Sequence, residues 1–492
     1  MILALDQGTT SSRSLLVGRD GRIAAVSQRA TTQSYPEPGW VEQDALALWQ
    51  AQLATARETL AKAGGEVAVA AIGISNQRET TVVWERASGT PVAPAIVWQD
   101  RRTTDVCRRL SDSGAGAQVR ERTGLVIDPY FTATKLSWIL ERIPDGPGRA
   151  RRGELAGGTI DSWLVWNLTG GRLHVTDATN ASRTLLYDIR RGVWDDELLE
   201  LFGVPRELLP TVVDSSGIIG TSEPALFGRA LPIAALCGDQ QASLFGHGCD
   251  SAGQAKVTYG TGCFLLAHTG ATPVASTHGL LSTVALQRDG RRTYALEGSA
   301  FVGGAAVGWL RDALGVVASP AEASELAARL GAGKGGVFVP ALAGLGAPHW
   351  DPAARGAFFY LHLGVTRAHL ARSVLEGLAL QVADLVTAAA ADAGLAPAAL
   401  RVDGGASVSD PLLQFQADVL GVPVVRAAEP ESTALGAAFL AGLACGFWRD
   451  AAEIGELRGS GRRFEPDPAV DRDALLARWR RAVAAVRQFA AG

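Results

Sequence analysis

The sequence predicts an α/β protein of two related domains facing each other across a shared cleft. Three observations predict it. At 492 residues the chain exceeds what one hydrophobic core usually supports. Strand-like apolar runs alternate with helix-like segments along most of its length. An opening motif also recurs: LALDQGTTSSRSLLV at 3–17 and KVTYGTGCFLLA at 256–267 each read as strand, Gly-Thr turn and returning strand. The division is expected at 246/247, giving units 1–246 and 247–492.

In chain order, Ile2–Leu5 and Ser14–Val17 flank the polar turn, with Asp6 at the strand end and Arg13 closing the turn. Ile23–Arg29 is a third strand. Tyr35–Asp44 is a Pro/Gly loop, and Asp44 is placed to cap a helix reaching about Ala63. Val67–Ile74 and Val82–Trp84 are strands, and Ala95–Trp98 is a short apolar run. Thr103–Ser111 and the segment around Ser137–Arg142 are helical. Gly158–Leu168 is a strand end and a helix, 177–184 a polar loop, Asp195–Phe202 a short helix, and Leu231–Leu236 a buried strand. After the second hairpin, Gly303–Leu314 and Ala321–Leu330 have helical period. Thr366 is placed to cap a long helix, Arg367–Ala393. Leu400–Val402 is a strand. Helices follow at Pro411–Leu420, at Ser432–Leu443, whose small residues suit close packing, and at Arg472–Phe489.

Composition excludes several functions. Hydrophobic content of 47% and charge of 20% are globular values. A net charge of −4 gives no electrostatic footprint for nucleic acid or an anionic membrane. Five scattered cysteines show neither a disulfide framework nor metal-site spacing, so a reducing cytosol is expected. The start lacks a basic n-region, and the longest apolar run, Ala434–Trp448, falls short of the ~18 residues of a membrane span. Only Lys62, Lys135, Lys256 and Lys334 are lysines, which limits any lysine-dependent chemistry.

The residues that carry chemistry cluster at strand ends. Gly8 can take φ > 0 and admit close backbone approach. Thr9, Thr10, Ser11 and Ser12 offer donors to phosphate oxygens, and Arg13 adds a planar cation. Asp6 suits a hydrated Mg2+. Gly260 and Gly404-Gly405 make two further strand-end turns, which together fit a nucleotide clamped between domains. GAGKGG at 331–336 is not a P-loop, because Gly335 stands where Ser or Thr should follow Lys334. Asp239, just past a buried strand, is the candidate general base for phosphoryl transfer. It is equally suited to cap a helix over Gln240–Phe245. Arg78-Glu79 could hold adjacent hydroxyls of a polyol, although a surface ion pair is the commoner use of such a doublet. Trp98 and Phe264 read as core residues or as an aromatic wall against a carbon chain.

Eleven segments then carry a resemblance over nearly the whole chain: ALDQGTTSSR, GWVEQD, SNQRETTVVW, IVWQDRR, TGLVIDPYFTATKLSWIL, DATNASRT, GDQQASLFG, TYGTGCF, GLGAPHWDP, RVDGGA and TALGAAFLAG. The sequence resembles the glycerol kinase branch of the FGGY carbohydrate kinases, in the actin-like ATPase superfamily. The resemblance implies two ribonuclease-H-like domains flanking a deep interdomain cleft. It implies transfer of the ATP γ-phosphoryl to the 3-hydroxyl of glycerol, with Mg2+, in cytoplasmic glycerol catabolism, by a homodimer or homotetramer. Carried onto this chain, Arg78, Glu79, Tyr130, Asp239 and Gln240 would bind glycerol, with Asp239 as base. Trp98 and Phe264 would form the apolar wall. Thr9, Thr10, Ser11 and Arg13 would meet the phosphates, with Asp6 and Asp239 near the metal. Thr261, Gly304, Gly308, Gly405 and Ser409 would complete the ATP site.

Three departures stand out. Gly308 and Ser409 replace amides usual in the family, Gln and Asn respectively, and Tyr360 replaces a usual Gly. The stretch Glu223–Pro232, EPALFGRALP, lacks the Gly-Gly-Lys run through which some members respond to fructose 1,6-bisphosphate, so that inhibition is expected to be absent or altered. The alternatives are an FGGY kinase for another small polyol or ketose, and a non-catalytic binding member. Intact Asp6, Asp239 and Arg13 argue against the latter.

Overall fold

Two β-sheets of matching strand order organise the chain in the computed structural model, which describes residues 1–64 and 67–491. In the first sheet, Ile2–Gln7 pairs antiparallel with Ser11–Val17, which pairs antiparallel with Ile23–Ala30. On its other side Ile2–Gln7 runs parallel to Ala71–Asn76, which runs parallel to Pro232–Gly238. The second sheet repeats this arrangement. Ala255–Tyr259 is antiparallel to Cys263–Gly270, which is antiparallel to Arg291–Ala300. Ala255–Tyr259 is also parallel to Leu400–Asp403, which is parallel to Val424–Arg426. Each sheet gains outer strands: Ser216–Thr221 in the first, Leu281–Arg288 and Arg462–Phe464 in the second.

Alternation sets what each face buries. Leu3 and Leu5 join the core beneath Leu48, Trp84, Trp163 and Leu164, whereas Ile2 and Ala4 face Ala434, Ala438 and Ala441. The second face of the first sheet is therefore covered by the helix Ser432–Ala444, from near the other end of the chain. That helix crosses Asp239–Gly246, the helix that follows the last parallel strand of the first sheet. Small residues allow the crossing. A Cβ on Gly436 would lie 1.9 Å from the Ala242 carbonyl oxygen, and one on Gly246 would lie 2.0 Å from that of Ser432.

The long helix Arg367–Ala393 has its N-cap at Thr366, in a capping box closed by His369. By length and composition it could cross a membrane, but 78% of its most apolar window is buried inside the protein. Most other expected elements appear with shifted ends. Of the expected polar loop at 177–184, Asp177 closes a strand, Val175–Asp177, and Ala178–Ala181 is a short helix, which leaves 182–184 as turn; all are buried. Asp177 there accepts from the amides of Thr179 and Asn180 and from Ser215, so its polar residues are spent inside the fold. All five cysteines are free thiols.

Candidate active site

Asp6 sits within Ile2–Gln7, with Arg13 and Ser75 as its neighbours on the flanking strands, so all three share one face. The strands run longer than the sequence suggests, which leaves Gly8–Thr10 as the turn and places Ser11 and Arg13 on the returning strand. Gly8 has no positive φ, and its amide donates to the Ser11 carbonyl at 3.0 Å. Ser12 turns inward and donates to Gln7 Oε1 at 2.8 Å, so it is not a cleft donor. Burial pushes the Asp6 carboxyl up to about 6, against a 2.8 Å hydrogen bond from Ser75 and the charge of Arg13. The Arg13 guanidinium pairs with Glu431, each side chain about a quarter exposed.

Asp239 opens its helix at the first turn, with Gly238 as the N-cap residue, so the cap role expected of it falls to its neighbour. Its Oδ1 accepts from the Gln240 amide at 2.7 Å and lies 3.5 Å from Arg78 Nε. Burial raises its pKa, opposed by Arg78 and Lys256.

Arg78 and Glu79 are not a surface pair. They are 3% and 1% exposed, and Glu79 takes a left-handed φ of 60°. Arg78 donates Nη1 and Nη2 to Glu297 at 2.6 and 3.0 Å, and Nη1 also to Gln241 at 3.1 Å. Glu79 Oε1 accepts from Arg183 Nε at 2.6 Å. Lys135 Nζ donates to the carbonyls of Glu79 and Tyr130 at 3.1 and 2.7 Å, joining the two segments. Burial pushes the Tyr130 phenol well above its ordinary range. The aromatic rings meet edge to face: Trp98–Tyr130 at 5.6 Å and Trp98–Phe264 at 6.4 Å. Trp98 also donates its indole N–H to Thr9 Oγ1 at 2.9 Å, linking the aromatic wall to the first hairpin turn.

The second half supplies matching turns. Gly304 donates to the Gly260 carbonyl at 2.8 Å, which sets Ala305–Asp312 against the turn that carries Thr261. A Cβ on Gly304 would meet Ala406 at 3.7 Å, so Gly405 is adjacent. Gly404 takes φ 88°, and a Cβ there would sit 2.6 Å from the Tyr259 carbonyl oxygen. Gly308, one turn along its helix, borders open space. Ser409 is buried, and its hydroxyl accepts from Ser324 at 2.8 Å.

A mirrored polar pair marks the two sheet floors. In the first, the acid is on the central strand and the hydroxyl on its parallel neighbour: Asp6 and Ser75. In the second the order is reversed, with Thr258 donating to Asp403 at 2.6 Å. Asp403 also accepts from Ser243 and lies 3.1 Å from His247 Nε2. Burial would raise its carboxyl, but His247 and Lys256 hold it well below the usual range.

Sequence reasoning missed Glu297, Arg183, Gln241, Lys135 and Lys256. Two signals were present. Asp289-Gly290, both with positive φ, is the two-residue turn that pairs Leu281–Arg288 with Arg291–Ala300, the strand carrying Glu297. The scarcity of lysine was a second signal, since two of the four are fully buried at this site.

Comparison with known proteins places this geometry. Residues 1–246 match the family model "FGGY family of carbohydrate kinases, N-terminal domain", and 255–445 match its C-terminal counterpart. The chain is 57% identical over 486 residues to a glycerol kinase from Dechloromonas aromatica, covering 98% of this chain and 96% of that one. It is 54% identical over 492 residues to one from Aromatoleum aromaticum, covering 100% and 99%. The crystal structure of Plasmodium falciparum glycerol kinase with ADP superposes with a TM-score of 0.93 at 32% identity, covering 99% and 98%.

Proposed function

The chain belongs to the FGGY family of carbohydrate kinases, and from that premise we propose that it transfers the γ-phosphoryl of ATP to the 3-hydroxyl of glycerol, giving sn-glycerol 3-phosphate. The observation that carries this reading is full-length similarity to proteins named glycerol kinase, on a chain whose Asp239, Arg78, Glu79, Trp98 and Phe264 converge in space.

In this reading, Arg78 Nε and the second carboxylate oxygen of Glu79 hold two hydroxyls, while the ring edges of Trp98, Tyr130 and Phe264 enclose the carbon chain. Asp239 accepts the proton of the attacking hydroxyl, and its raised pKa makes it a better acceptor than an exposed carboxylate. Gln240 flanks it. Thr9, Thr10, Ser11 and Arg13 receive the phosphates from the first half. Thr261, Gly304, Gly308, Gly405 and Ser409 receive the nucleotide from the second.

Mg2+ fits the donor set. Asp6 is half-buried, has one oxygen hydrogen-bonded and feels the charge of Asp239, and a hard cation would offset the desolvation that raises its pKa. Among the described residues no cluster of three or more His, Cys, Asp or Glu is placed to hold a metal. When bound, it would neutralise charge on the transferring phosphoryl group. Units 1–246 and 247–492, a cytoplasmic setting supported by the free thiols, and a homodimer or homotetramer complete the reading.

A polyol panel with ATP and Mg2+, read by ADP release, tests it. Glycerol turnover that falls about 10²- to 10⁴-fold in Asp239→Asn is the expected result. Equal rates with erythritol or xylulose would overturn glycerol as substrate, and no turnover of any polyol would favour a binding protein.

A further inference from the structure

Among the described residues, Glu297 is the carboxylate of the second sheet that pairs directly with the Arg78-Glu79 doublet, through Arg78. It is fully buried on Arg291–Ala300 and accepts three hydrogen bonds from the first half: two from Arg78, and one from Arg183 Nη2 at 2.9 Å. Arg183 in turn donates Nε to Glu79 Oε1. The result is a closed chain of alternating charge, Arg78–Glu297–Arg183–Glu79, with no member more than 3% exposed. Its sequence separations of 219 and 114 residues show that it is assembled only by the tertiary fold.

The chain of charges fixes what each end can still do. Both terminal nitrogens of Arg78 are committed to Glu297, one of them also to Gln241, so Nε is left facing Asp239 and Glu79. Arg183 takes one oxygen of Glu79 and leaves the other. One fixed donor and one fixed acceptor remain, the pattern that vicinal hydroxyls require. Without Glu297, two buried guanidiniums would lose a shared counter-charge, and Arg78 would be free to rotate onto Asp239 or Glu79. Arg183 Nη1 is already buried without a partner, so the cluster has no spare acceptor to take over.

We propose that Glu297 is a positioning residue that the second domain contributes to polyol recognition: through Arg78 and Arg183 it fixes the donor and acceptor that grip the substrate hydroxyls. The proposal rests on the reading of the site as a glycerol site.

Steady-state kinetics of the full-length Glu297→Gln variant tests it. Losing the charge is expected to raise KM for glycerol about 10- to 100-fold, leaving KM for ATP within about twofold. Arg183→Met, which removes the other link, is expected to raise KM for glycerol in the same sense. It serves as the second variant if Glu297→Gln does not fold. A variant that lowers kcat with both KM values unchanged would show a purely structural role and overturn the inference. So would parallel rises in both KM values. If the wild-type enzyme itself does not phosphorylate glycerol, the parent reading fails; normal wild-type turnover with an unmoved glycerol KM defeats the inference alone.

Discussion

Removing the charge of Glu431 is expected to tighten nucleotide binding. Arg13, on the returning strand of the first hairpin, is the cation proposed to meet phosphate, yet its guanidinium is paired with Glu431. An incoming triphosphate must either draw Arg13 away from that carboxylate or tolerate the carboxylate beside it. At contact distance and an effective dielectric of ~20, such a pair gains about 4 kcal/mol of attraction before solvation. With the side chains 25% and 23% exposed, solvent and desolvation return most of that, leaving a net of about 1 kcal/mol. The expectation is therefore about a fivefold lower Kd for ATP or ADP in Glu431→Gln, measured by calorimetry at fixed ionic strength. The gain should vanish in an Arg13→Ala background, because the competition needs both groups. Arg13→Ala alone should slow turnover more than it weakens glycerol binding. An unchanged or weaker nucleotide Kd in Glu431→Gln, or a gain that survives loss of Arg13, would refute the competition.

Three further outcomes follow from the packing and the charges. Gly436→Ala would place a Cβ 1.9 Å from a backbone oxygen of the crossing helix, so melting should show a loss of about 1–3 kcal/mol or more, whereas an unchanged Tm would mean the helices separate freely. Lys135 is pushed down by burial from 10.5 to about 7, so between those values the unfolded chain binds more protons than the folded one. Stability from this group should thus rise with pH from about 7 towards 10, and denaturant titrations of Lys135→Met should lack that rise. Fructose 1,6-bisphosphate should not inhibit strongly: in the Glu223–Pro232 segment Arg229 donates to the Val67 carbonyl and Glu223 is paired with Arg172, so a saturable titration would contradict the expectation.

What was legible in the sequence was local. The hairpin at 3–17, its echo at 256–267 and the Gly404-Gly405 turn announce themselves through adjacent residues, and the structure brings them to the ends of two matching sheets. Taken alone, Arg78-Glu79 favoured an ordinary ion pair over a polyol grip, because the residues that change its meaning, Arg183 and Glu297, lie more than a hundred positions away. Likewise, the polar run 177–184 looked like a loop. Polar side chains satisfied inside a fold have the same composition as those satisfied by water, and only the partners, Ser215 and Asn76 among them, tell the two apart. The hairpin at 281–300 was the avoidable omission, since Asp-Gly between two β-prone runs is a strong local signal.

The repeated strand order and the crossing helices have one more consequence. Each half places a helix after its last parallel strand, and these two helices meet one another, as equivalent patches meet in an isologous dimer. Two identical subunits joined this way would carry two identical acids, and any substitution would appear twice. A single chain is free of that constraint. Here the acid stands on the central strand in one half, as Asp6, and on its parallel neighbour in the other, as Asp403. Asp403 is kept ionised by His247 and Lys256 and accepts from Ser243 on one of the crossing helices, while Asp6 is left with a raised pKa and one hydroxyl partner. Broken symmetry thus gives one acid a mechanical task and leaves the other open to chemistry.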